Sequence, residues 1–119
     1  MDGILVKKTK LFIKDIDKIP KQIDINTKIE AFISKSKNKT TFLRQRNALC
    51  IYNGSILKDI EYQIYSYRIT QKYRLIFSYD EDELFNETTI TLYGIISPEE
   101  LGTRISRITN AIKQDFGVS

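Results

Sequence analysis

The chain of 119 residues has no histidine, no tryptophan, one cysteine and two prolines. Without histidine, Ser-His-Asp and Cys-His catalysis and every histidine-based metal site are excluded. The lone thiol, Cys50, can form neither an internal disulfide nor a cysteine zinc site. In the run Leu49-Cys50-Ile51-Tyr52 it reads as a small buried hydrophobe, and a reducing, cytoplasmic setting is expected. No apolar run reaches the length of a membrane span, and Met1-Asp2-Gly3-Ile4-Leu5-Val6-Lys7-Lys8 holds too short an apolar stretch for a secretory leader. No membrane partner, metal or cofactor is therefore expected. Any chemistry falls to Lys, Arg, Tyr, Asp or Glu.

What is present suits one globular domain spanning 1–119, with 41% hydrophobic and 29% charged residues. The net charge of +4 is unevenly spread. Residues 28–74 carry ten bases and three acids, whereas residues 75–97 carry five acids and no base. Two readings fit the basic middle: a surface for a polyanion such as nucleic acid, or a solvated lysine-rich face.

The apolar spacing predicts an α+β order. Residues 3–7 read as a strand. Residues 9–19 read as a helix capped by Thr9 and stopped by Pro20, and residues 24–35 as a second helix capped by Asp24. A basic connection follows, with Lys35, Lys37, Lys39, Arg44 and Arg46 and no acid between them. Asn53-Gly54 predicts the turn of a hairpin over 48–60. Residues 62–70, 73–79 and 88–96 read as a three-strand meander, with a two-residue turn at Gln71-Lys72 and an exposed acidic turn at Asp80–Glu83. Ser97 and Pro98 open a last helix with an apolar stripe of Leu101, Ile105, Ile108 and Ile112. Either that stripe packs on the sheet or it serves a partner.

Arg68 and Arg74 flank the tight turn, within a residue or two of each other across the ladder, and Lys72 adds a third cation. Two guanidinium groups on adjoining strands can hold a phosphate and stabilise charge building on phosphorus. Tyrosines crowd the same stretch, among them Tyr67 and Tyr73. Rings beside cations stack unpaired bases; equally, aromatic residues fill strand cores.

Leu57-Lys58-Asp59-Ile60, then Tyr67-Arg68-Ile69, then Tyr73-Arg74-Leu75-Ile76-Phe77 together resemble the core motif of the RelE/ParE toxin superfamily of type II toxin–antitoxin systems. The expected element order agrees along the whole chain. The resemblance implies an antiparallel, twisted sheet of about four or five strands against two N-terminal helices, with a C-terminal helix. It implies metal-independent mRNA cleavage, free or ribosome-dependent, by attack of a ribose 2′-hydroxyl on the neighbouring phosphate. Arg74 takes the phosphate-stabilising position, Arg68 a second basic position, and Tyr93 an acid or stacking role; the distribution of charge and rings itself makes Lys35, Lys37, Lys39, Arg44, Arg46, Tyr67, Lys72 and Tyr73 the candidate RNA contacts. A cognate antitoxin, mRNA and the ribosome are the implied partners. The chain departs from the pattern at Ser66, where a base often stands, and at Tyr93-Gly94-Ile95-Ile96-Ser97, which lacks the terminal basic pair. These departures keep two alternatives open: a ParE-like gyrase inhibitor, or a non-catalytic binding protein of phage or plasmid origin.

Overall fold

Side-chain oxygens open the first two helices. Thr9 Oγ1 accepts from Phe12 N at 3.2 Å and starts α1 (Lys10–Lys18). The same residue donates from Oγ1 and from its backbone N to the Leu92 carbonyl, both at 3.1 Å, which pins the helix start to the last strand. α1 ends at extended Ile19, just before Pro20. Asp24 caps α2 (Ile25–Lys35), its Oδ1 accepting from Thr27 N at 3.3 Å and its Oδ2 from Thr27 Oγ1 at 2.8 Å. The computed structural model describes residues 3–21, 23–35, 48–57, 60–82, 84–85 and 87–115.

Among the described residues five strands form one sheet: β1 (Gly3–Lys8), β2 (Ala48–Leu57), β3 (Ile60–Arg68), β4 (Arg74–Asp82) and β5 (Glu87–Ile96), in the order β1-β5-β4-β3-β2. A 3₁₀ turn, Pro98–Glu100, leads into α3 (Leu101–Asp115). The chain is thus α+β, but the sheet is mixed rather than antiparallel. β1 lies parallel to β5, from Gly3 opposite Glu87 to Lys8 opposite Leu92. Local alternation tells which face a residue takes, not the direction of a partner more than eighty positions away.

The meander differs from expectation at its turns. Asn53 and Gly54 lie inside β2, opposite Gln63 and Tyr62, rather than in a turn. A long ladder with β3, adjusted by irregularities at Cys50/Tyr52 and Ser55/Leu57, overrides the local turn preference. The Cys50 side chain lies outside the described residues. Asp80 and Asp82 remain paired, with Thr89 and Glu87, so the acidic stretch continues the ladder where a turn was expected. Between β3 and β4 the loop is wider than two residues. Ile69 N and Thr70 N both donate to the Tyr73 carbonyl at 3.3 Å, and Thr70 Oγ1 accepts from Lys72 N at 3.2 Å and Tyr73 N at 2.9 Å.

Alternation gives the sheet two apolar faces. Phe12 of α1 and Ile25, Ile29 and Phe32 of α2 cover Tyr67, Leu75, Phe77, Ile90 and Leu92. Phe32 meets Tyr67 and Phe77 edge-on, at 4.9 and 4.8 Å between ring centroids. On the opposite face Ile108 of α3 packs against Ile64, Ile76 and Ile96, flanked by Tyr93 and Leu101. Of the two readings of the last helix's stripe, packing on the sheet is therefore met at Leu101 and Ile108. No helix among the described residues is long and apolar enough to cross a membrane.

Candidate functional site

The last pair of the β3–β4 ladder is Arg68 opposite Arg74, a direct cross-strand pair. By alternation with Ile64, Ser66 and Ile76, both project to the face that carries α3. Like charges directly opposite repel in the absence of an anion. Arg68 is exposed, and Arg74 is half-buried. The Arg74 Nη1 donates to the carbonyls of Thr70 (3.0 Å), Gln71 (3.2 Å) and Tyr73 (3.2 Å). This guanidinium therefore closes the turn and is held in one place, so less side-chain freedom is lost when it meets a ligand.

Lys72 lies exposed at the tip, its Nζ 5.5 Å from the centroid of the half-buried Tyr73 ring. The start of the last helix sets an acid beside these cations. The Glu99 carboxyl is held below the usual glutamate range, first by a hydrogen bond from its own backbone and further by the charges of Arg74 and Lys72, while the Ser97 hydroxyl donates to Glu100 Oε1 at 3.3 Å.

The other expected contacts divide. Tyr67 is not a surface ring: it is 5% exposed and packs into the core against Phe32, which removes it as a stacking platform. Tyr93 is the extra residue of a bulge, because Ile76 pairs with Gly94 while Phe77 pairs with Leu92. That bulge leaves the Tyr93 ring half-buried against the isoleucines beneath α3. Lys35 is exposed at the end of α2, the helix covering the face opposite to Arg68 and Arg74. Lys37, Lys39, Arg44 and Arg46 lie outside the described residues.

A long-range contact near the site lies beyond any local sequence pattern. β1 stops at Lys8, so among the described residues no strand lies beside the outer edge of β5 beyond Leu92. Asp15 of α1 takes the strand's place, its Oδ2 accepting from Ile95 N at 3.0 Å. Arg104 of α3 grips the same carboxylate with both ends, Nη1 to Oδ2 at 2.5 Å and Nη2 to Oδ1 at 2.9 Å. Both residues are buried, Asp15 at 6% and Arg104 at 9% exposure. The Arg104 pKa is raised, chiefly by the hydrogen bond to Asp15 and also by the charges of Asp15 and Glu100, against the effect of burial. The pair crosses the backbone at Gly94, where a Cβ would stand 2.5 Å from Arg104 Nη1 and 2.8 Å from Asp15 Oδ2. The available signal was a charge on each helix's apolar stripe, of opposite sign.

Comparison of the chain with protein-family models, with curated proteins and with solved structures gives no match.

Proposed function

We propose that this protein is a toxin of the RelE/ParE kind that engages RNA through the Arg68–Arg74 row. The observation carrying the proposal is the direct opposition of two arginines, one fixed by three turn carbonyls, at the end of a β-ladder. A phosphate bridging the two relieves their mutual repulsion and accepts paired hydrogen bonds. Lys72 extends the positive field along the same loop. The chain order of strand, two helices, four strands and helix supports the same reading.

In the cleaving form, a ribose 2′-oxygen attacks the adjacent phosphorus, and the bond to the 5′-oxygen breaks. The 2′-hydroxyl proton passes to a base, and the 5′-oxygen gains a proton. Arg68 and Arg74 stabilise the added negative charge on the phosphoryl oxygens. Tyr93, on the same face, is the candidate proton donor. An acidic antitoxin segment on the cationic row would silence the protein, in the cytoplasm.

A second reading, binding without cleavage, is favoured by one observation. Arg104, a base close in the chain to the Tyr93–Ser97 stretch, is consumed by Asp15. A ParE-like inhibitor or a non-catalytic binding protein follows from that. Inducing the protein in a bacterium and mapping RNA ends separates the cases. The toxin reading predicts growth arrest with new RNA ends, both abolished by Arg68→Ala. Arrest with intact RNA and inhibited supercoiling selects the ParE-like form. Absence of arrest selects the non-toxic binding protein.

A further inference from the structure

Where β1 stops, the end of the sheet is notched. A cleft of about 300 Å³ opens there, floored by the Asp15–Arg104 pair. Both Asp15 oxygens are already engaged, so recognition falls to the walls and rim. Tyr73 and Ile95 give apolar wall, Lys18 and Lys72 stand exposed at the rim, and the Glu100 carboxylate lies on the α3 side. A flat ring with an anion attached suits this lining, the ring for Tyr73 and the anion for the lysine ammonium groups. A nucleotide has both parts.

We infer that the cleft is a nucleotide subsite, taking the RNA base next to the phosphate held at Arg68 and Arg74. The inference rests on the RNA-binding reading above and names what lies beside its phosphate site. Tyr73 and Arg74 are consecutive, one facing the cleft and the other the cationic row, so a strand bent over the β3–β4 turn reaches both. Stacking on Tyr73 displaces Lys72 from the ring, and the freed ammonium turns to the phosphate. That exchange is favourable because an exposed cation–π contact is weaker than a base stack. The Glu100 carboxylate, whose Oε1 accepts from Ser97 Oγ at 3.3 Å, accepts through its second oxygen from an exocyclic amine, which selects cytosine over uracil.

The test is fluorescence anisotropy with labelled single-stranded octacytidylate and octauridylate. The wild-type protein should bind the cytidine octamer several-fold tighter, and Glu100→Gln should remove that difference. Tyr73→Leu should weaken binding roughly tenfold, the change expected from one lost stack, while Tyr73→Phe keeps it. Lys18→Glu, at an exposed position away from the core, should weaken both octamers. If Arg68→Ala weakens binding while Lys18→Glu and Tyr73→Leu leave it unchanged, the subsite is wrong and the RNA reading stands. Equal affinity of the wild type for both octamers overturns the role given to Glu100. If neither octamer binds the wild type, the RNA reading fails and the subsite with it.

Discussion

Asp15 and Arg104, 89 positions apart, close on each other through the open edge of β5, joining a helix on one face of the sheet to a helix on the other. The pair satisfies the Ile95 N–H, which no strand among the described residues reaches. Because both charges are buried, removing one strands the other. Arg104→Ala and Asp15→Ala should each destabilise the protein by about 3–5 kcal/mol. Chemical denaturation of the two single variants and the double variant checks this. The double should be far less destabilised than the sum of the singles.

Gly94 belongs to the same arrangement. A methyl group there would press on both partners, so Gly94→Ala should destabilise by about 1–3 kcal/mol, the usual range for overpacking. In an Arg104→Ala background the closest clash disappears, and the Gly94→Ala penalty should shrink. Equal penalties in the two backgrounds would contradict the contact.

The two arginines of the row should separate in stability. Arg68→Ala removes an exposed side chain and should change unfolding free energy by less than about 0.5 kcal/mol. Arg74→Ala removes the donor that closes the turn and should destabilise by about 1 kcal/mol. Thermal or urea unfolding measures both, and makes Arg68→Ala the cleaner probe of function.

Glu99 gives a pH signature. Its folded carboxyl titrates below the ordinary value, so its contribution is present above the unfolded pKa of about 4.5 and is lost as pH falls through the folded value. Glu99→Gln should remove that acid-limb contribution. It should also strengthen RNA binding at neutral pH, since a negative charge leaves the neighbourhood of Arg74 and Lys72. Stability measured from pH 3 to 7, with binding at pH 7, tests both parts.

Much of the architecture was legible because it rests on local pattern. Thr9 and Asp24 cap where capping residues should, and alternation from Ile64 to Ile69 sorts Tyr67 and Arg68 to opposite faces. Alternation already assigned Tyr67 a face, but only the docking of Phe32 shows that face to be core. Asn53-Gly54 misled because its turn preference is weaker than the pairing of β2 with β3 over their length. The parallel β1–β5 pairing and the Asp15–Arg104 clamp are long-range facts, and a single charge on an apolar stripe does not name its partner. Arg68 and Arg74 were legible as neighbours; the turn carbonyls on Arg74 and the acid at Glu99 were not.

The most direct test of the cationic row is the salt dependence of single-stranded RNA binding by the wild type and by Arg68→Ala. A phosphate contact at Arg68 predicts weaker binding by the variant, with a log–log salt slope shallower by about 0.7. Unchanged affinity and slope in a correctly folded Arg68→Ala protein would contradict a phosphate contact at Arg68.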